Sequence, residues 1–593
     1  MKVFYDSFDS KCKTPFGAVP TGREVRFCIS VTSERPVQGV SICIRAGETT
    51  EYLPMNHDGA GIWSVRKTFR TAAVYHYRFE VYDEAQMTHF VGLGDGGVAE
   101  LKDWLPEWQL TVYDRAYTEP KDMRGGVIYH VFCDRFARDE SVGADRPLSE
   151  WGTVPRVHDT GGVYRAEEFF GGNLRGIASK MDYFEALGVT VLYLSPIFKA
   201  RSNHRYDTGD YFVIDPLLGT EQDFVELCRC AHDKGIKVIL DGVFNHTGSD
   251  SKYFNKFGTY EGLGAWQGKE SPYYDWYSFG NYPAGYNAWW GIDNVPTVNK
   301  DVKAYQDMIY GEGGVVEKWL RLGADGWRLD VADELPSFFI EGIRQRIKAV
   351  KPEAYLLGEV WEDASMKYSY GTYRPYLLGK ELDGVMNYPF GNAVLDLARG
   401  GDPNRFVKEV RSILENYPEP MLAHSMTVID THDTARAINV LSGVNMPDDL
   451  DDQRANTLQD TEYELGKRRL MLASAIQYFL PGMPSLFYGD EAGITGWHDP
   501  LCRPCYPWGS EDAELITHYT RLGAIRRELK AQLSGRTKLD FDGNLLTITR
   551  GESDPVTLVV NCSDNDVDFA GYDLISQQKY NKIPPRGFVV KRD

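Results

Sequence analysis

Gly326-Trp-Arg-Leu-Asp-Val-Ala-Asp-Glu334 decides the fold, because an apolar strand pattern here delivers a guanidinium and a carboxylate together. Arg328 and Asp330 are two residues apart and share one face of a strand, while Trp327, Leu329 and Val331 alternate with them as packing residues. A guanidinium beside a carboxylate favours the ionised form and lowers its pKa, which suits a nucleophile better than an acid. A purely structural Arg-Asp pair would look the same over four residues, so the surrounding chain has to decide.

Three further segments follow the same plan. Lys237-Val-Ile-Leu-Asp-Gly-Val-Phe-Asn-His246 runs apolar and ends in Asp241, Asn245 and His246. Ala354-Tyr-Leu-Leu-Gly-Glu-Val-Trp361 presents Glu359 beside a large aromatic, and Met426-Thr-Val-Ile-Asp-Thr-His-Asp433 ends in His432 and Asp433. Helical stretches such as Gly314-Val-Val-Glu-Lys-Trp-Leu-Arg-Leu322 lie between them, and this alternation argues a parallel sheet with helices outside. Functional residues at the carboxyl ends of several parallel strands are gathered most economically by an α/β (β/α)8 TIM barrel. The predicted strands are Val127 to Arg135, Val189 to Pro196, Val238 to Phe244, Gly326 to Ala332, Tyr355 to Val360, Gly384 to Tyr388, Thr427 to Thr431 and Pro484 to Tyr488.

In order and spacing, the four segments resemble the signature regions of the α-amylase superfamily, glycoside hydrolase family thirteen. The nearest branch is neopullulanase/cyclomaltodextrinase-like or amylopullulanase-like. Leu194-Ser-Pro-Ile-Phe198, Ser202-Asn-His-Arg-Tyr-Asp-Thr-Gly-Asp-Tyr211, Trp289-Trp-Gly-Ile-Asp-Asn-Val-Pro-Thr-Val-Asn299 and Gly482-Met-Pro-Ser-Leu-Phe-Tyr-Gly-Asp-Glu-Ala-Gly493 extend the likeness from about Gly125 to Leu529.

Cleaving an acetal with retention needs one carboxylate to attack the anomeric carbon and one carboxylic acid to protonate the leaving oxygen. Asp330 is the nucleophile candidate, and Glu359, among apolar neighbours and Trp361, is the acid/base candidate, since partial desolvation favours its protonated form. The resemblance implies Asp433 as the third carboxylate, holding ring hydroxyls and favouring the oxocarbenium-like transition state. It also implies Arg328 orienting Asp330, His246 and His432 donating to sugar hydroxyls, Tyr206 stacking on the cleaved sugar, and Asp241 bracing the site. Glu334 and Trp361 fall on the leaving-group side. The implied activity is retaining, endo-acting hydrolysis of α-1,4-glucosidic bonds in maltodextrins, starch or glycogen, with pullulan and cyclodextrins to be ranked. A transglycosylase, an α-1,6-cleaving pullulanase and a non-catalytic glucan-binding protein are the alternatives.

Two departures bear on substrate preference. Val331-Ala-Asp-Glu334 stands where the branch commonly has Val-Ala-Asn-Glu, so Asp333 adds a negative charge near the site. Val295-Pro-Thr-Val-Asn299 only approximates Met-Pro-Lys-Leu-Asn and also resembles amylopullulanases.

With 593 residues the chain exceeds one core and predicts several domains. Residues 1–120 alternate in strand fashion without a helical period, as in Val40-Ser-Ile-Cys-Ile-Arg45, and predict a β-sandwich that in relatives binds starch or forms a homodimer interface. Trp63, Trp104 and Trp108 are either stacking platforms there or core, with core favoured for Trp63. Residues 121–246 and 301–530 form the barrel, 247–300 an inserted B domain walling the cleft, and 531–593 a small C-terminal antiparallel β domain. Tyr273, Tyr274, Trp276, Tyr277, Trp289 and Trp290 of the insertion suit sugar faces, although some must pack the insertion itself.

A net charge of −20 without clustered Lys or Arg disfavours nucleic acid. An acidic amino terminus and the absence of a long apolar run argue against export and a membrane, hence a cytoplasmic protein. Nine scattered cysteines fit free thiols, and Cys502-Arg-Pro-Cys505 lacks the second pair a zinc site needs. No cofactor is required. A structural calcium ion is left open at Asp134, Asp139, Asp145 and Asn173, a loop that resembles a calcium loop of relatives but carries Arg138 and Val142 where oxygen donors belong.

Overall fold

The computed structural model describes residues 1–94, 97–102, 104, 106–158 and 166–592. Eight strands form one parallel sheet: Ile128–Val131, Val191–Leu194, Lys237–Gly242, Gly326–Leu329, Tyr355–Gly358, Gly384–Val385, Met426–Thr427 and Met483–Phe487. They pair in sequence order from the first to the sixth, and the eighth pairs with both the first and the seventh. A single bridge, Met386 to Met426, joins the remaining edges, so the sheet is a nearly closed barrel.

The strands are almost wholly buried, which accounts for their continuous apolar runs. Ile128, Val191, Tyr193, Ile239, Tyr355, Leu357, Met386, Met426 and Met483 make one cluster from successive strands. Each observed strand stops short of its predicted end. The residues after the last ladder pair turn out of the sheet: Cys133–Phe136 is already helical, and Val331 is left-handed with φ 40°. Val331 therefore does not continue the alternation expected of it.

Between the third strand and the helix Lys303–Tyr310, the insertion is organised by short 3-10 turns at Tyr274–Trp276 and Trp289–Gly291. Bridges from His246 to Thr297, Tyr277 to Val298 and Ala288 to Pro296 fasten it back onto the end of the third strand. After the helix Ala513–Glu528, four antiparallel strands (Thr537–Asp542, Leu545–Arg550, Val556–Asn561, Phe588–Arg592) and a hairpin form the C-terminal sheet.

The amino-terminal unit groups Met1–Glu119 with Glu362–Asp383 and Val407–Leu422, two segments that the sequence reading assigned to the barrel. Its two sheets, of five and seven strands, enclose a core of Tyr5, Phe27, Tyr77, Phe79 and Trp108. Trp108 lies 5.7 Å from the Tyr77 ring in a stacked pair and is core, as is Trp63, while Trp104 is 95% exposed. Among the described residues no helix is long and apolar enough to cross a membrane.

Candidate active site

Arg328 is fully buried at the end of the fourth strand and organises carboxylates from three neighbouring strand ends. Its Nη1 donates to Asp241 Oδ1 (2.9 Å) and Oδ2 (3.0 Å) and to Asp330 Oδ1 (2.9 Å). Nη2 lies 2.9 Å from Glu359 Oε2. Glu359 also accepts the Val331 N–H at 2.7 Å and the Trp361 indole N–H at 3.1 Å. The left-handed turn at Val331 thus aims a backbone donor across to the fifth strand. A β-branched residue at positive φ is a genuine outlier, costing about 1–3 kcal/mol.

Asp241 additionally accepts hydroxyl protons from Tyr193 (2.5 Å) and Tyr206 (2.8 Å). The Tyr206 ring stacks on His432 at 5.1 Å and 7°, and His432 Nε2 lies 3.2 Å from Asp433 Oδ2. Trp361, half-exposed, stacks on Tyr388 at 4.0 Å. Asp241, Tyr206, Arg328, Asp330, Glu359, Trp361, His432 and Asp433 are therefore one cluster. His246 is buried beside the insertion against Trp289 at 5.3 Å, and Glu334 sits on the 3-10 turn after Asp330.

Electrostatics correct one expectation. Burial pushes the Asp330 carboxyl well up; Arg328 opposes this, but Glu359, Asp241 and Asp433 add to it. Burial likewise raises Asp241 and Asp433 against the pull of their arginines. The sequence shows the guanidinium two residues away but not the other carboxylates, which arrive from other strands. A cluster of acids around one guanidinium is a place to hold a proton. Burial keeps both imidazoles neutral, with His246 down at about 3, assisted by the Lys300 charge, and His432 well below its ordinary value.

Three contributors were not singled out from sequence. Tyr193 faces Asp241 from the second strand, where it reads as a core residue. Arg503, between the two cysteines, donates Nε to the His432 carbonyl (2.7 Å) and ion-pairs with Asp499 (2.9 Å) and Asp433 (3.5 Å). Lys300, buried and held at about 8 by desolvation, donates to the Asn245 carbonyl (3.1 Å) and to Asn245 Oδ1. That fixes the amide so that Nδ2 faces His246 Nδ1 at 3.4 Å. Cys502 and Cys505 are buried free thiols.

The calcium loop does not fit a cation. Asp134 is buried and occupied by Arg135 Nε (2.8 Å) and the N–H groups of Phe170 and Gly171. Asp139 accepts from Ser141, Asp145 pairs with Arg146, and Asn173 turns its amide N–H toward the Asp139 and Gly171 carbonyls. Hard cations need oxygen atoms, and here donors face the same oxygens. Among the described residues no group of three His, Cys, Asp or Glu side chains could hold a metal ion.

Comparison with known proteins bears on the family and the fold. The family described as alpha amylase, catalytic domain, matches residues 130–532. The chain is 37% identical over 596 residues to an amylopullulanase of Thermoanaerobacter thermohydrosulfuricus, covering 90% of this chain and 39% of that protein, so it spans well under half of that relative. It is 31% identical over 463 residues to neopullulanase 2 of Thermoactinomyces vulgaris, covering 75% of this chain and 70% of that one. Among solved structures, the cyclic α-maltosyl-(1→6)-maltose hydrolase of Arthrobacter globiformis superposes with a TM-score of 0.66 at 26% identity, covering 80% of this chain and 100% of its own. The family match over residues 130–532 and these relatives show that the chain belongs to the α-amylase family, glycoside hydrolase family thirteen.

Proposed function

We propose that the site hydrolyses α-1,4-glucosidic bonds of maltodextrins, starch or glycogen from within the chain, with retention. The observation that carries this reading is the Arg328 guanidinium held between Asp330 and Glu359 at adjacent strand ends. Carboxyl groups bridged by one guanidinium lie close, as a double displacement with about 5 Å between them requires. Asp330 Oδ attacks C1 while the C1–O bond to the leaving sugar breaks and Glu359 gives its proton to that oxygen. Water then enters, Glu359 takes one of its protons, the oxygen bonds to C1, and Asp330 leaves as carboxylate. Turnover needs the shared proton on Glu359 with Asp330 ionised, and Arg328, touching both, governs that placement.

In this reading Asp433, His246 and His432 hold sugar hydroxyls, Tyr206 stacks on the cleaved ring, Asp241 braces Arg328 and Tyr206, and Trp361 and Glu334 face the leaving side. Relatives named for amylopullulanase, cyclomaltodextrinase and neopullulanase support testing pullulan and cyclodextrins as further substrates.

The test is chromatographic product analysis on maltohexaose, cyclodextrin and pullulan with wild type and Asp330→Asn. Wild type should cleave maltohexaose and Asp330→Asn should not, at unchanged fold by circular dichroism. Surviving turnover in the variant refutes the nucleophile assignment. Panose from pullulan would place the cut at α-1,4 links, maltotriose at α-1,6 links, and products longer than the substrate would favour transglycosylation.

A further inference from the structure

Of the insertion aromatics, Trp276 and Tyr277 are buried and Tyr273 and Tyr274 half-buried, which accounts for them as packing. Trp290 is different: it is 80% exposed, and its backbone is left-handed at φ 52°, ψ 23°. A large side chain in that region is strained, and leaving an indole in water forfeits the burial that aromatics usually contribute. Neither packing nor backbone preference accounts for a tryptophan here.

The turn that carries it is held firmly. Trp289 N–H donates to the Val295 carbonyl (3.0 Å), Gly291 N–H to Ala288 (3.1 Å) and Ile292 N–H to Trp289 (3.0 Å). Its neighbour Trp289 stacks on His246 at 5.3 Å and 24°, and the Trp290 ring centroid is 6.2 Å from that of Trp289. The strain therefore points an indole outward one ring beyond a residue of the cleavage site, and Ile292, 46% exposed, lies beside it in the chain.

We propose that Trp290 is a stacking platform for a glucosyl ring of an α-glucan, lying outside the sugar being cleaved. The proposal rests on the glucan-cleaving reading for the identity of the occupant. Sugars present axial C–H faces that match an exposed indole, while their hydroxyls stay in water. A platform at this distance acts on long chains and not on short ones, so it sets chain-length preference.

The experiment compares wild type, Trp290→Ala and Trp290→Phe on maltotriose and maltoheptaose. With stacking worth about 0.5–1.5 kcal/mol, the ratio of kcat/KM for maltoheptaose to that for maltotriose should fall roughly threefold to tenfold in Trp290→Ala and be largely kept in Trp290→Phe. The melting temperature should not fall, because an exposed left-handed residue contributes little to the fold. An unchanged ratio, or equal losses on both sugars, overturns the proposal, the second by showing that the residue acts through Trp289 and His246. Calorimetric binding of both sugars to Asp330→Asn, with and without Trp290→Ala, separates the two readings. A chain-length-dependent loss of affinity supports the platform even if wild type proves to have no turnover, and equal affinities refute it even if turnover is high.

Discussion

Replacing Arg328 by Met tests whether one guanidinium holds the site together. Arg328 is fully buried and meets three carboxylates, Asp241, Asp330 and Glu359, each no more than a tenth exposed. Removing one partner of a buried ionic network typically costs about 3–5 kcal/mol, because the charges left behind are uncompensated. The cost has a pH signature. Without the guanidinium, the carboxyl groups that burial already pushes up rise further, so the folded variant binds more protons than its unfolded chain. A group raised in this way is neutral and costless below its unfolded range of about 4, and the penalty accumulates as pH rises through the folded value. The stability gap between wild type and Arg328→Met should thus widen from about 1 kcal/mol near pH 4 to about 4 kcal/mol near pH 8. Calorimetric melting of both proteins across that range reads the gap directly, and maltohexaose turnover should fall at least about a thousandfold, as for loss of a preorganised charge at the reacting groups. Arg328→Lys should rescue stability in part and activity little, since an ammonium cannot fork between two carboxylates. A gap that is constant with pH would mean that Arg328 contributes packing alone and would refute the reasoning.

Glu491 offers a second pH test away from the site. Buried and accepting hydroxyls from Tyr129 (2.5 Å) and Tyr183 (2.7 Å), it is pushed up to about 7 from an ordinary 4.5. Its stabilisation is therefore fully present below pH 4.5 and lost as pH rises through 7, by about 3 kcal/mol. Glu491→Gln should lack that decline in a melting series from pH 4 to 8. Lys300 is held at about 8 by burial, so wild-type kcat/KM should decline above about pH 8 as the ammonium gripping Asn245 is lost. Lys300→Met should be lower at every pH, by roughly tenfold, and should lack that alkaline limb in a pH–rate profile.

The barrel was legible because its strands are buried on both faces, and runs such as Val191–Leu194 have no other use for their apolar residues. The strand-end carboxylates were legible by pattern, each arriving just after such a run. What could not be read depends on distant strands meeting. The upward shift of Asp330 comes first from burial, with Glu359, Asp241 and Asp433 adding to it, and none of these is nearer than 29 residues in the chain. Lys300 works through Asn245, 55 residues earlier, and looks like any surface lysine in sequence. Trp104 and Trp108 were equivalent on paper; Trp108 begins a strand and pairs with Tyr77 in the core, while Trp104 lies in the connection before that strand and is exposed.

Some of the backbone strain in the chain lies next to the site, while other strained residues, such as Ala60, Asp554 and Arg586, lie far from it in sequence. Arg205 (φ 63°), Trp290 (φ 52°) and Val331 (φ 40°) are non-glycine residues in the left-handed region, and each adjoins a residue of the site or its wall: Tyr206, Trp289 and Asp330. Glycine would adopt these angles without cost but would also leave the neighbouring side chains free to wander. In two of the three, the strained residue itself makes a hydrogen bond that ties the turn to another part of the barrel. Arg205, buried, donates to the Asn203 carbonyl (2.7 Å) and to Asp215 (3.3 Å), while the Val331 N–H reaches Glu359. Trp290 makes no such contact and offers its ring to solvent. At Arg205 and Val331 these bonds offset the strain inside the protein, and at Val331 the bond falls directly on Glu359. At Trp290 the ring keeps its contact with Trp289 and is otherwise open to solvent, which is the observation from which the proposed platform starts.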